Sequence, residues 1–239
     1  MEDISVENID IPIEADDLVL KGSIYFSSKI SSKGSWIINM PGLLDHRESY
    51  FVKLYSEKFA KKGFYVLSYD YRAHGETAKQ TGKNWLKNLS VIFSDFNYVV
   101  DWLFKTQKQR INANKVYLFG RSLGGAIILT RGFREERIKK LIALCTRYDY
   151  HSVANISFPE KIIKKVSPIY YLEERESNIN RILLAHCEDD PRIPFKNLEF
   201  IKNHLNLPDS NVIIYKDGGH SFKNHRDDLF EKCLEFLKN

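Results

Sequence analysis

The sequence predicts an α/β architecture, a mostly parallel central sheet with helices on both faces, and three observations point to it. From about residue 36 onward, short apolar runs alternate with longer segments whose apolar residues recur at helical spacing. The apolar runs are continuous rather than alternating, as strands buried on both sides require. The polar residues that could do chemistry fall just after strands, and parallel α/β sheets bind ligands at the carboxyl ends of their strands.

Ile9–Ile13 and Leu18–Phe26, split by Asp16-Asp17, read as an antiparallel start. Ser27–Gly34 is a polar turn. Trp36–Asn39 is a short strand. Tyr50–Lys61 is a helix, with Phe51, Leu54, Tyr55 and Phe59 on one face and Gly63 as its stop. Phe64–Tyr69 is a strand and Ser90–Lys105 a helix striped by Ile92, Phe93, Phe96, Val99, Val100 and Leu103. Val116–Phe119 is a strand, Leu123–Gly132 a helix and Ile138–Cys145 a strand. Arg181–His186, Phe195–Asn206, Val212–Tyr215 and Asp227–Leu237 close the chain as strand, helix, strand and helix. Thr146–Asn180 breaks this rhythm. It mixes Tyr148, Tyr150, Phe158, Tyr170 and Tyr171 with prolines and charges, and is too long and aperiodic for a plain connection. It reads as a small cap of one or two short helices, inserted in a single domain spanning 1–239.

The chain has 239 residues, 43% apolar and 28% charged, which suits one large domain with an ordinary core. No apolar run reaches the roughly 20 residues of a membrane span. The opening Met1-Glu-Asp-Ile-Ser5 lacks the basic leader and apolar stretch of a secretory signal. The net charge of +5 comes from scattered lysines, with no basic stripe, so no nucleic-acid partner is expected. Three cysteines, Cys145, Cys187 and Cys233, have no paired spacing, and fit a reduced, cytoplasmic setting.

The most informative motif is Gly120-Arg-Ser-Leu-Gly-Gly125, a G-x-S-x-G on a strand-to-helix corner. A sharp turn there lifts Ser122 out of the fold and aims its hydroxyl at a cleft; a plainer reading makes Ser122 a helix cap. A serine hydroxyl needs a base, and the base needs a carboxylate to fix its tautomer. His220, in Lys216-Asp-Gly-Gly-His220, follows the last strand on a glycine turn, with His225 as its rival. Glu188, Asp189 and Asp190 are adjacent, and any of them can serve as the acid; Asp190, four residues before Pro194, is preferred. Three successive acids rarely converge on a cation, and no Cys or His pair has zinc spacing, so no metal and no cofactor are expected. An oxyanion hole needs backbone N–H donors. Leu123 supplies one, and the loop Met40–His46 a second, from Leu43.

Pro41-Gly-Leu43, Asp70-Tyr-Arg-Ala-His-Gly-Glu76, Gly120–Gly125, Cys187-Glu-Asp-Asp-Pro-Arg-Ile-Pro194 and Gly218-Gly-His220 together resemble the α/β-hydrolase superfamily. The likeness is strongest to small-cap acyl esterases of the cinnamoyl and feruloyl type, and to the serine aminopeptidase and monoacylglycerol lipase group. It runs from about Leu18 to Phe236. The resemblance implies the α/β-hydrolase fold, with Ser122 as nucleophile, Asp190 as acid and His220 as base, and with Asp70, Arg72 and Gly75 in structural roles. The chain departs from the pattern in four places, one of them Ala73, which replaces a glycine between Arg72 and Gly75. Pro41 stands where the family has a histidine, Arg121 precedes the serine in place of histidine, and Cys187 replaces a glycine. The expected activity is hydrolysis of a carboxylic ester of a small or aromatic acyl group through an acyl-enzyme, with a small-molecule substrate. The same triad serves peptide or amide hydrolysis, and a ligand-sensing protein on this fold is the non-enzymatic alternative.

Overall fold

The computed structural model describes residues 4–30, 33–151, 153 and 156–239. Residues Met1–Asp3 of the N-terminal reading, Ser31 and Ser32 of the polar turn, and Ser152, Ala154 and Asn155 of the 146–180 insertion lie outside them. The chain forms two compact units, Met1–Tyr117 and Leu118–Asn239.

In the first unit, β1 (Ile4–Ile13) pairs antiparallel with β2 (Leu18–Ser27) along its whole length, from Ile4 opposite Ser27 to Ile13 opposite Leu18. The turn between them closes on Asp17 in the left-handed region, φ +48°, a conformation a short polar side chain tolerates. β2 pairs antiparallel with β4 (Tyr65–Tyr69), and β4 pairs parallel with β3 (Gly34–Met40), giving the order β1-β2-β4-β3. A parallel pair needs a crossover, and α1 (Tyr50–Lys61) provides it, with Phe51, Val52, Tyr55 and Phe59 buried on one face. Gly63, at φ +87°, turns the chain back into β4. A short α2 (Ala78–Thr81) was not foreseen. α3 (Trp85–Thr106) starts five residues before the predicted Ser90, because the Asn84 side chain accepts the Lys87 N–H at 3.1 Å and caps an earlier turn. β5 (Ile111–Arg121) is longer than the predicted Val116–Phe119 and runs across the boundary between the units.

In the second unit, β6 (Lys140–Leu144), β7 (Ile182–Cys187) and β8 (Val212–Tyr215) are parallel neighbours in that order. β7 is buried throughout and β6 from Leu141 onward, which explains why they read as unbroken apolar runs; β8 leaves Ile214 half exposed. α7 (Lys196–Leu205) connects β7 to β8, and α8 (Arg226–Lys238) ends the chain. The segment after β5 differs from the expected single helix Leu123–Gly132. α4 (Leu123–Ile127) gives way to a π-helical turn at Ile128–Gly132. Thr130 Oγ1 donates within reach of both Ala126 O (2.8 Å) and Ile127 O (3.1 Å), competing with the helical ladder. The guanidinium of Arg181 then caps the end, donating to the carbonyls of Gly132 and Phe133. Between β6 and β7 lie α5 (Glu160–Val166), a 3₁₀ turn at Pro168–Tyr170 and α6 (Asn178–Arg181).

Candidate active site

Ser122 sits between the end of β5 and the start of α4, with φ +59° and ψ −114°. A non-glycine residue held there costs about 1–3 kcal/mol, which the surroundings must enforce. They do so from both sides. The Ser122 N–H donates to Leu144 O of β6 at 2.8 Å, and its carbonyl accepts the first helical bond, from Ala126 N at 3.0 Å. The Ser122 side chain makes no capping bond to α4, so the plainer reading of this serine as a helix cap fails. Gly125 completes the corner: a Cβ on it would lie 1.9 Å from Thr146 Oγ1, so only glycine lets α4 approach the end of β6.

His220 lies in a 3₁₀ turn after β8 and is buried. Its Nδ1 is 2.7 Å from Asp190 Oδ2. A carboxylate only accepts, so Nδ1 carries the proton and Nε2 is left as the basic nitrogen. The other Asp190 oxygen, Oδ1, accepts from the backbone N–H groups of Arg192 (2.8 Å) and Ile193 (3.1 Å). His186 Nε2 stands 3.3 Å from Oδ2 and 3.0 Å from Ile193 O. Burial pushes the Asp190 carboxyl up, but its hydrogen bonds with His186, His220 and the Arg192 N–H outweigh this and hold it well below the usual carboxylate range. Burial lowers the His220 imidazole below 6.5; the bond with Asp190 pulls the other way, and the charges of Arg121 and Arg192 reinforce the burial. The ring is therefore neutral at neutral pH, the state a general base needs.

The neighbouring acids separate by geometry. Asp189 accepts from the backbone N–H groups of Gly218 (3.2 Å) and Gly219 (2.8 Å), so it fastens the loop rather than the ring. Asp190 is the member of the triplet whose carboxylate reaches the imidazole. The rival His225 is engaged elsewhere: its Nε2 bonds Asp217, and its ring stacks on Tyr215 at 4.4 Å. Leu123 is the first residue of α4, where an N–H has no acceptor one turn back. Leu43 belongs to the first unit, in the loop after β3.

Two features acquire their roles only in three dimensions, although Arg121 already stood out in the sequence as a departure from the family pattern. Arg121 Nη1 donates to Ser221 Oγ at 2.7 Å and to His220 O at 3.3 Å. Cys145, buried at φ +45° at the end of β6, brings its Sγ within 4.8 Å of ligand atoms of both Asp190 and His220. Cysteine, carboxylate and imidazole form a donor set that zinc accepts. Burial and the adjacent Asp190 push the Cys145 thiol far up, however, so the thiolate a metal would need is disfavoured.

A family model described as serine aminopeptidase, S33, matches residues 32–180, more than half of the chain. The chain belongs to the serine aminopeptidase S33 family. The match includes the Ser122 corner and ends before Asp190 and His220, so the pairing of those two stands on geometry alone. Among curated relatives, an uncharacterized protein, YfhR, of Escherichia coli K12 is 28% identical over 191 residues, covering 74% of this chain and 61% of the relative. The lysophosphatidylserine lipase ABHD12 of Xenopus tropicalis is 26% identical over 170 residues, covering 63% of this chain and 40% of the lipase. The chain thus spans about three fifths or less of the length of either relative. Among solved structures, an acylaminoacyl peptidase in complex with a chloromethyl ketone superposes with TM-score 0.78 at 18% identity, covering 99% of this chain and 41% of that one. Est1E of Butyrivibrio proteoclasticus, bound to ferulic acid, superposes with TM-score 0.74 at 18% identity, covering 96% and 98%. At that identity the likeness fixes the fold, and the fold is that of the α/β hydrolases. Among the described residues of this S33 family member, no helix is long and apolar enough to cross a membrane.

Proposed function

We propose that the protein is a serine hydrolase that cleaves a carboxylic ester of a small or aromatic acyl group through an acyl-enzyme. One observation carries the reading: a serine in strained backbone, its hydroxyl unused as a cap, shares a unit with a buried imidazole whose Nδ1 is 2.7 Å from a carboxylate. In the proposed reaction Ser122 Oγ bonds the ester carbonyl carbon as His220 Nε2 takes its proton. Asp190, ionised throughout, holds the imidazolium. The N–H of Leu123, and by family resemblance that of Leu43, hold the oxyanion. His220 returns the proton to the leaving alcohol as the carbon–oxygen bond breaks. Water, deprotonated by the same nitrogen, then releases the acid and restores Ser122. No step calls for a cofactor or a metal.

The acyl preference is supported by the segment 146–180, which we take as a small cap carrying Tyr148, Tyr150, Phe158, Tyr170 and Tyr171. Three buried, unpaired cysteines are in keeping with a cytoplasmic setting. The family description favours a second reading, amide or peptide hydrolysis on the same residues. A fluorophosphonate probe and a panel of acyl esters beside aminoacyl amides test both. Wild type is expected to label and to turn over short and aromatic esters fastest, with Ser122→Ala silent in each assay. Faster cleavage of amides transfers the reading to the peptidase alternative. An unlabelled wild type leaves a sensing protein instead.

A further inference from the structure

We propose that Arg121 is a positioning residue for the base: from the last position of β5, its guanidinium holds the His220 carbonyl and the Ser221 hydroxyl, so the residue next to the nucleophile fixes where the imidazole stands. The inference rests on the reading of Ser122 and His220 as nucleophile and base.

The loop that bears His220 needs such a hold. Gly218 (φ +113°), Gly219 (φ +58°) and Phe222 (φ +51°) are all left-handed, and only one 3₁₀ turn stands between them. Asp189 fastens the front of the loop through the Gly218 and Gly219 N–H groups. Arg226 Nε reaches the Ser221 carbonyl at 3.1 Å, from the start of α8. Arg121 fastens the loop at the backbone of His220, with Nη1 at 2.7 Å from Ser221 Oγ and 3.3 Å from His220 O. Arg121 is only 6% exposed, so these charge-assisted bonds form away from water and are strong. The strand that delivers the nucleophile and the loop that delivers the base are thereby joined by one side chain. A histidine, the family's usual residue at this position, is shorter and is not permanently charged.

The charge has a second consequence. The groups that face His220 are Asp190 and Arg192 from the loop after β7, Cys145 from the end of β6 and Arg121 from β5. Asp190 favours the imidazolium; Arg121 and Arg192 oppose it. Removing the guanidinium should therefore loosen the loop and raise the protonation midpoint of the ring together, which loss of packing alone would not do.

The test compares Arg121→Met, Arg121→Lys and Ser221→Ala. It measures kcat and KM on p-nitrophenyl acetate, and titrates His220 by proton NMR in a Ser122→Ala background. Arg121→Met is expected to lower kcat by about 10–100-fold, the cost of misplacing a catalytic group by a fraction of an ångström to an ångström. KM should change far less, and the His220 midpoint should move up toward 6.5. Arg121→Lys should keep the midpoint low and regain part of kcat; Ser221→Ala should cost less than Arg121→Met. A wild-type kcat in Arg121→Met overturns the proposal, as does a lowered kcat with the His220 midpoint unmoved. Should Arg121→Met fail to fold, unchanged kcat and midpoint in both other variants overturn it. The NMR titration does not depend on turnover, so it stays informative if hydrolysis of the ester proves not to be the activity.

Discussion

Among the described residues, each unit holds a cluster of buried charge, and the two clusters differ in the groups they bring together. In the first unit Arg47 meets Asp70 through its guanidinium (2.5 Å) and through its backbone N–H (2.8 Å), and reaches Glu76 at 2.8 Å. Glu76 N–H returns to Asp70 at 2.8 Å, and Gly75, at φ +47°, is needed because a Cβ would fall 2.4 Å from the Asp70 carboxyl. Beside it Arg72 grips Asp95 at 2.7 and 2.9 Å and also pairs with Asp16. Permanent cations face carboxylates in closed pairs. In the second unit the carboxylate Asp190 faces an imidazole, and the Arg121 guanidinium reaches the carbonyl of the same histidine. The imidazole is pulled both ways and keeps Nε2 free of its carboxylate. Both clusters are buried and ionic. What distinguishes the candidate site is a titratable residue held by the arginine that precedes the strained Ser122.

That contrast can be broken most forcefully at Asp190. Asp190→Asn removes the acceptor that fixes the His220 tautomer, and turnover should fall about 10⁴-fold with the fold intact. In a variant that retains measurable rate, the acid limb should move further to low pH, because the contribution that lifts His220 has gone. A loss below tenfold, with normal fluorophosphonate labelling, would mean that another acid serves the ring.

Asp70→Asn should do the opposite. It strands Arg47 in a buried site, and unfolding free energy should drop by about 3–5 kcal/mol, read as a lowered denaturant midpoint. Turnover per folded molecule should stay within a few-fold of wild type. Equal stability and lost turnover would place Asp70 in the chemistry and erase the distinction between the clusters.

The smallest effect sharpens the choice of base. His225→Gln, which removes the pair with Asp217, should change turnover less than about threefold. The wild-type rate should rise with pH along one limb whose midpoint lies below 6.5, since His220 must lose its proton to act and its folded value is depressed. The same depression means that the unfolded chain takes up this proton first, so stability from His220 is complete above 6.5 and is lost as pH falls toward the folded value. A limb that vanishes in His225→Gln would reassign the base.

Continuous apolar runs revealed the central strands, because burial on both faces leaves a strand no choice but hydrophobic residues; β4, buried throughout, lacked only the first predicted residue, and β8 matched its predicted bounds although Ile214 is half exposed. The glycine-flanked serine and the glycine-turn histidine were visible for a similar reason, since sharp turns restrict residue type locally. The start of α3 was missed because one side-chain bond from Asn84 decides it, and the π-helical turn because a single threonine hydroxyl redirects the ladder.

The sequence alone determined the element order, the family and the three segments that hold the candidate nucleophile, acid and base, all of which are written in local periodicity and turn chemistry. Only tertiary structure decided that Asp190 rather than Asp189 reaches the imidazole, that Arg121 holds the base's loop and that Cys145 lies against the acid. Those outcomes depend on where a carboxylate, a guanidinium and a thiol point after separate strands have paired. No pattern along the chain encodes a direction in space between residues that meet only through folding.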